Sequence, residues 1–466
     1  MTENNSKINS FFNSINNKTI ALCGIGRSHL PLIPLFTRYG AHVIACDKRD
    51  RETLGDAAVL AERDGAELRL GDNYLDGLEA DIFFRTPGMK FFTKEISDLR
   101  KKGVIVTSEM EVFFDICPCK IIAVTGSDGK TTTTTVISEF LKAQGKTVHL
   151  GGNIGKPLLP EIESISPDDY AVVELSSFQL ISMRESPDTA VVTNLAPNHL
   201  DIHKDMQEYI DAKRNIVLHQ NAFSRSVLNL DNDISNSFES DVRGRLLKFS
   251  RCSRVENGVY MNENGDIYYA ENGSDTFIMN KSDIKIPGLH NVENYMAAIC
   301  AVWGEVDVSN IVKTAAEFGG VAHRNEFVRE LDGVSYYNDS IASSPTRTAL
   351  GTLSLYDEKM IVIMGGYDKH LDYTDLGRII CKKVKTAVIM GATAAKIKAA
   401  ILGAPEYSAG NPEIIEVNTM EQAVAAARSA AVPGDKVSLS PASASFDLYK
   451  NFEERGEHFK TIVNNL

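Results

Sequence analysis

The sequence has no run approaching about 18 consecutive apolar residues, so no segment reads as a bilayer-spanning helix. Its opening, MTENNSKINSFFNSINNK, lacks the apolar core that a secretory leader needs. The expected location is therefore the cytoplasm. Cysteine is sparse: seven residues, Cys23, Cys46, Cys117, Cys119, Cys252, Cys300 and Cys381, without one CxxC pair. That spacing suggests neither a zinc ribbon nor a disulfide framework. Cys117-Pro118-Cys119 is the one close pair, and it reads as two reduced thiols in a linker. Positive charge is in deficit, with 49 Lys+Arg against 62 Asp+Glu and a net charge of −13. A nucleic-acid binder held by its overall field is thereby disfavoured. An anionic ligand would have to be held locally, by Lys, Arg and helix N-termini. There is no fixed-period repeat and no long low-complexity segment. No GxSxG elbow surrounds Ser176-Ser177, so neither serine reads as a hydrolase nucleophile.

What is present is ordinary globular composition, 43% hydrophobic and 24% charged, which excludes a disordered chain, a collagen and a coiled coil. At roughly 150 residues per domain, the length of 466 residues suggests about three domains. Residues 1–17 are Asn/Ser-rich and are expected to be disordered or a simple extension. From there short apolar runs alternate with helical patterns: KTIALCGIG, AHVIACD, ADIFFRTPG and GVIVTSE, ending near Cys117. This alternation predicts an α/β unit with a parallel sheet over 18–117. A second unit over 118–321 opens with KIIAVTGSDGKTTTTTVISEFLKAQG and continues through YAVVELSS and TAVVTNLAPNHLD. Within it, 229–283 is polar and turn-rich and predicts a small antiparallel excursion, after which 290–303 reads as a helix. A third unit over 322–466 carries VSYYNDS, KMIVIMGG, KTAVIMG, IIEV and KVSLSPAS as strands.

The strongest chemical signal is Gly126-Ser127-Asp128-Gly129-Lys130-Thr131-Thr132, between an apolar strand and a helix. A strict GxxxxGK[ST] would need glycine where Val124 stands, but the physical ingredients are complete. Glycines let backbone N–H groups close around phosphates, and the helix N-terminus adds a positive dipole end. Lys130 can neutralise terminal phosphates, and the Thr131 hydroxyl suits Mg²⁺. Glu174 ends the run AVVE, where a carboxylate beside a phosphate loop can hold a hard cation. His199 and His203 are four apart in HLDIH, yet no HExxH glutamate and no third ligand accompany them. Zinc is disfavoured, and His199 is read as an addition to the phosphate-loop metal site. Gly24-Ile25-Gly26-Arg27-Ser28-His29 matches half of a dinucleotide fingerprint, with His29 in place of its third glycine. Asp47, ending the second run, is placed to hold a ribose or base edge.

Taken together, TGSDGKTTT, VELSSFQL, NLAPNHLDIH, YIDAKRNI, GLHNVENYMAA, AHRNEF and YYNDS resemble the motifs of the Mur ligase family, in that family's order. The C-terminal LSPASASFDLYKNFEERG resembles the branch that adds D-glutamate, and the likeness runs from about Lys18 to the end. It implies three domains: a UDP-binding Rossmann-like unit, a central ATPase unit and a Rossmann-like unit that receives the amino acid. It implies ATP-dependent joining of D-glutamate to UDP-N-acetylmuramoyl-L-alanine through an acyl phosphate, with Mg²⁺, two ions in all, and a monomeric enzyme. By the same resemblance Lys130 bridges the β- and γ-phosphates, and Thr131, Glu174, His199 and a carbamylated Lys213 form the metal site. Asn291 and Asn294 lie on the adenine side, and Arg324 and Asp339 reach ATP from the third domain. Asn153 and Ser176 lie near the muramoyl-alanine part. Arg27, Ser28, Asp47, Arg49 and Thr86-Pro87-Gly88 surround uracil and diphosphate, while Ser343, Lys369, Ser445, Phe446 and Phe452 surround D-glutamate. Departures from the family pattern are Asp128 for Asn, Asn198 for Asp, Ile341 for Lys, His29 for Gly, and Arg27 for a commonly apolar residue.

Three other readings are open on the sequence: a sibling ligase for another amino acid, a phosphate-loop switch without ligation, and a nicotinamide dehydrogenase. An amino-acid panel separates the first. Amino-acid-dependent phosphate release excludes the second, and absent NAD(P)H binding removes the third.

Overall fold

The computed structural model describes residues 4–196 and 203–466. The chain divides into two compact units, one running to Asp283 and including His290–Ala316, the other comprising Ile284–Leu289 and Glu317–Leu466.

The first unit holds two sheets. Strands β1 (Thr19–Cys23), β2 (His42–Asp47), β3 (Glu67–Leu70), β4 (Ile82–Arg85) and β5 (Ile105–Thr107) are parallel in the order β3-β2-β1-β4-β5. The order reverses between β1 and β4, and such a reversal opens a crevice at the carboxyl ends of the strands. Residues 24–29 and 86–88 follow those two strands. The second sheet comprises β6 (Lys120–Thr125), β7 (Val148–Gly152), β8 (Tyr170–Glu174), β9 (Thr189–Val192), β10 (Arg225–Asn229), β11 (Arg245–Ser250), β12 (Gly258–Met261), β13 (Asp266–Glu271) and β14 (Ser274–Asn280). Its order is β14-β13-β12-β11-β10-β9-β6-β8-β7. Only β12–β13–β14 pair antiparallel; β10 and β11 extend the parallel part, so the predicted excursion is narrower than 229–283.

A single apolar cluster runs through both sheets, from Ile20 and Phe84 across Phe113 to Ile121 and Val173. Polar ties reinforce it. Arg38 and Tyr39 both donate to the Glu163 carboxylate. Glu109 Oε1 accepts the N–H groups of Leu158 at 3.0 Å and Leu159 at 2.9 Å, at the start of the short helix Leu159–Ser164. Burial pushes the Glu109 carboxyl up to about 7 against the pull of those two N–H groups. The folded state therefore favours the protonated acid. This contribution to stability is complete below about pH 4.5 and is lost as pH rises through about 7. Glu109→Gln keeps the acceptor without the charge. It is expected to exceed the parent in stability by about 1–3 kcal/mol at about pH 8, the two converging toward about pH 4.5. Denaturant titration at both pH values checks this, and a pH-independent difference would contradict it.

The opening is not disordered: Asn4–Ile15 form a helix. Ile8, Phe12 and Ile15 recur at helical spacing and are buried, and Phe12 stacks on Tyr39 at 3.9 Å between ring centroids. The Asn/Ser-rich composition concealed this apolar stripe.

The second unit has β15 (Glu326–Leu331), β16 (Val334–Asn338), β17 (Met360–Gly365), β18 (Val384–Met390), β19 (Glu413–Glu416) and β20 (Lys436–Leu439), ordered β15-β16-β20-β17-β18-β19. All pairs are parallel except β15–β16. Apolar layers cover both faces, one around Val362 and Ile389, the other around Ile363, Val437 and Phe459.

Candidate active site

Strand β6 is buried after its first residue and delivers Thr125 to a turn that leads directly into the helix Lys130–Ala143. Two glycines make the turn possible. Gly126 has φ +154°, and a Cβ there would lie 1.9 Å from Thr193 Oγ1. Gly129 has φ +77°, and its Cβ would lie 2.2 Å from Asn294 Oδ1. No side chain fits either place. Gly126→Ala is expected to strain the loop by about 1–3 kcal/mol, read as lost stability in a denaturant titration beside the parent.

Lys130 opens the helix, and its Nζ donates to the carbonyls of Gly126 and Ser127, both at 2.9 Å. The ammonium thus lies across the mouth of the loop. Ser127 Oγ donates to Ala196 O and meets Tyr209 Oη, both at 2.9 Å. The backbone N–H of Asp128 donates to Asn194 Oδ1 at 3.0 Å, and the Asp128 side chain is exposed. Thr131 Oγ1 donates to Glu174 Oε2 at 2.7 Å. Glu174, at the end of β8 beside β6, is 1% exposed, and its Oε1 accepts from Asn153 Nδ2 at 2.7 Å. A buried carboxylate and a hydroxyl in contact are hard oxygen donors, and the pair suits Mg²⁺.

Lys213 comes from the helix Met206–Leu218, on its buried side with Tyr209, Ala212, Ile216 and Val217. It is 1% exposed, and its Nζ donates to Thr125 Oγ1 at 3.1 Å and Gly126 O at 2.9 Å. Burial pulls its pKa well down, the Lys130 charge pulls the same way, and Glu174 opposes both. Asn294 accepts from Thr133 Oγ1 at 3.2 Å and donates to Asn291 Oδ1 at 3.1 Å, which sets both asparagines against the loop helix. Ser176 caps the short helix Ser177–Leu180 in a capping box with Gln179. The structure thus brings Lys130, Thr131, Asn153, Glu174, Lys213, Asn291 and Asn294 around one loop. His199 and Asn198 lie outside the described residues. His203 meets Ser177 Oγ through Nε2 at 2.8 Å and stacks on Phe178. Among the described residues no three His, Cys, Asp or Glu side chains gather as a metal cage.

A second group lies at the carboxyl edge of the first sheet. Asp47 Oδ2 accepts the N–H of Ile25 at 2.8 Å, and Arg49 Nη2 donates to Asp47 Oδ2 at 2.8 Å and Ile25 O at 2.9 Å. Burial pushes the Asp47 carboxyl up, but Arg49 and the Arg49 and Ile25 N–H groups outweigh it and hold the pKa below the ordinary value. Asp47 therefore braces the glycine turn and orients Arg49. Arg27 is exposed, and Thr86 packs on Gly24. Ser28, His29, Arg85, Pro87, Gly152 and Gln179 line one cavity that joins this edge to the second sheet.

In the second unit, Ser343, Lys369 and Ser445 follow β16, β17 and β20, three adjacent strands, and so share one carboxyl edge. Phe446 is 60% exposed with its ring edge toward Tyr367, and Lys369 is exposed. Phe452 opens the last helix beside His323. Asp339 is buried, accepts from Thr352 Oγ1 at 2.5 Å and Asn325 N at 3.2 Å, and is pushed up to about 6 by burial. The sequence reading missed Arg455. It is 3% exposed and donates to Ser340 O at 2.8 Å, Ser443 O at 3.2 Å and Ala444 O at 3.0 Å. Burial pulls its pKa down to about 10. The one signal it left was a charged residue amid NFEERG, and its burial was not legible there.

Residues 124–302 match the model of the Mur ligase middle domain, and residues 323–443 match that of the Mur ligase glutamate ligase domain. The chain belongs to the Mur ligase family. This Mur ligase is 50% identical over 467 residues to the UDP-N-acetylmuramoylalanine--D-glutamate ligase of Acetivibrio thermocellus, covering 99% of each chain. It is 49% identical to the enzyme of that name from Clostridium acetobutylicum, over 98% of this chain and 99% of that one. Among solved structures, UDP-N-acetylmuramate-alanine ligase MurC from Thermotoga maritima aligns with TM-score 0.56 at 16% identity, over 96% of this chain and 99% of that one. MurF from Acinetobacter baumannii aligns with TM-score 0.57 at 17% identity, over 84% and 91%. At such identity the two structures speak to fold alone: the mixed α/β architecture of this Mur ligase is theirs. No helix among the described residues is long and apolar enough to cross a membrane.

Proposed function

We propose that this chain is the ATP-dependent ligase that adds D-glutamate to UDP-N-acetylmuramoyl-L-alanine, releasing ADP and phosphate, in peptidoglycan precursor synthesis. The observation that carries the reading is half identity to D-glutamate ligases over essentially the whole of both chains. The enzyme works in the cytoplasm as a monomer, with domains at 18–117, 118–321 and 322–466.

The chemistry follows from the residues. A carboxylate is a poor electrophile, and phosphorylation by ATP converts one of its oxygens into a leaving group. The D-glutamate amine then attacks the acyl carbon, and the tetrahedral intermediate expels phosphate. The loop N–H groups and Lys130 hold the β- and γ-phosphates and stabilise charge that builds during transfer. Mg²⁺, two ions in the full site, supplies charge neutralisation on the phosphate oxygens. Thr131 and Glu174 would hold it, with His199 and a carbamylated Lys213. Gly126, Ser127, Asp128, Gly129 and Thr132 complete the phosphate cradle, Asn291 and Asn294 face adenine, and Arg324 and Asp339 serve ATP. Arg27, Ser28, Asp47, Arg49 and Thr86-Pro87-Gly88 receive the uridine diphosphate end, and Asn153 and Ser176 the muramoyl-alanine end. D-Glutamate is held by Lys369 against one carboxylate and by Ser343, Ser445, Phe446 and Phe452.

Arg455 positions that last loop. Arg455→Met removes charge-assisted hydrogen bonds of about 1.5–3 kcal/mol each and is expected to raise the KM for D-glutamate at least about tenfold, with kcat less affected. A proportional fall in kcat with KM unchanged would contradict the positioning role.

Isotope transfer tests the reaction. With ¹⁸O in the alanyl carboxylate, released phosphate should carry one labelled oxygen. Unlabelled phosphate would overturn the acyl-phosphate reading.

A further inference from the structure

Cys117 ends the helix Glu109–Ile116, with extended backbone at φ −61° and ψ 126°, and Cys119 immediately precedes β6. Their sulfurs lie 3.6 Å apart, turned toward each other around Pro118. Cys119 is 6% exposed, while Cys117 is half-buried. A solvent-borne oxidant thus meets Cys117 first, with a second thiol already waiting behind it. The exposed Cys252 has no such neighbour in its own stretch of sequence.

We infer that Cys117 and Cys119 form a dithiol site for reversible two-electron oxidation, closed to a disulfide by a peroxide. In the first step the Cys117 thiolate attacks one oxygen of hydrogen peroxide. The O–O bond breaks, hydroxide leaves and is protonated to water, and Cys117 becomes a sulfenic acid. In the second, Cys119 loses its proton and attacks the Cys117 sulfur. The S–O bond breaks, and hydroxide leaves with that proton as a second water. Two thiols and one peroxide give one disulfide and two waters.

The local chemistry orders the steps. The hydrogen bond from the Cys119 thiol lowers the Cys117 pKa, outweighing burial and the Asp188 charge. The same contact and burial push Cys119 up. Once Cys117 is a neutral sulfenic acid, its charge no longer opposes ionisation of Cys119, and the second thiol is freed to react. Closure needs the sulfurs to approach to about 2.05 Å, across a turn of one intervening residue. A bond closing so short a turn is strained and easily reduced, which is the character of a reversible site rather than a structural one.

The test uses the full chain, prepared reduced, treated with about one equivalent of hydrogen peroxide, alkylated and digested. The peptide spanning both cysteines should appear about 2 Da lighter and unalkylated, and dithiothreitol should restore two alkylations. In Cys119→Ser, Cys117 should be captured by dimedone; in Cys117→Ser, Cys119 should remain alkylatable. Both variants should keep ligase turnover within about twofold of the parent, since neither thiol touches the phosphate loop. Full alkylation of both residues while Cys252 is oxidised would overturn the inference. So would irreversible oxidation of Cys117 to a sulfinic acid without a crosslink.

Discussion

Lys130→Ala is expected to lower ATP turnover by about 10³-fold, some 4 kcal/mol of lost transition-state stabilisation, while the protein stays folded. The effect is large because the ammonium is the one side-chain cation that the phosphate loop itself supplies, held by the Gly126 and Ser127 carbonyls at 2.9 Å. Its removal leaves the N–H groups of the loop and helix to meet the phosphates alone. Lys130→Arg should recover little, because the planar guanidinium is larger and a point charge is what the turn accommodates. Phosphate release, read beside a melting curve, separates loss of catalysis from loss of fold. Undiminished turnover would remove the phosphate-loop assignment.

The second large effect concerns Lys213. A lysine that is 1% exposed, beside the Lys130 charge, is held well toward its neutral form. The neutral amine is the form that adds carbon dioxide, and carbamylation turns a cation into an anionic oxygen ligand. Lys213→Ala should lose activity by about 10³-fold or more and regain part of it with formate or acetate, small carboxylates that fit where the carbamate would stand. The sign of the pH linkage is the reverse of the usual case for lysine. The unfolded chain binds the extra proton, so this site costs stability at neutral pH, and the cost fades as pH rises toward the unfolded value near about 10.4. Lys213→Met should therefore melt higher than the parent at about pH 7 while being inactive. Normal activity without added carboxylate would refute the carbamate role, and a lower melting temperature would refute the stability argument.

These two lysines also mark what the sequence made legible. Lys130, Thr131 and Glu174 could be read directly, because strand, glycine turn and helix leave a local signature and β8 ends on the acid beside it. Lys213 could be named only through the family likeness. Yet its helix carried a physical sign: a lysine occupying the apolar face defined by Tyr209, Ala212 and Ile216. The helix Asn4–Ile15 was hidden for the opposite reason, since three apolar residues sufficed to bury it amid polar ones. Asp47 was read as a ligand for a ribose or base edge. Its oxygens are engaged by the Ile25 N–H, 22 positions away along the chain, and by the Arg49 guanidinium, two positions on, and the first of these contacts exists only once the two strands pair. Arg455 depends on carbonyls of Ser340, Ser443 and Ala444 brought together by the parallel sheet, and no local pattern encodes that meeting.

The measurement that bears most directly on the central claim is phosphate release from ATP with UDP-N-acetylmuramoyl-L-alanine, under Mg²⁺ and bicarbonate. The amino-acid panel is D-glutamate, L-glutamate, L-alanine, L-lysine and meso-diaminopimelate. Release that requires both the nucleotide substrate and D-glutamate, with a product of matching mass, is the expected result. Release driven by a different amino acid, or none with any of them, would contradict it.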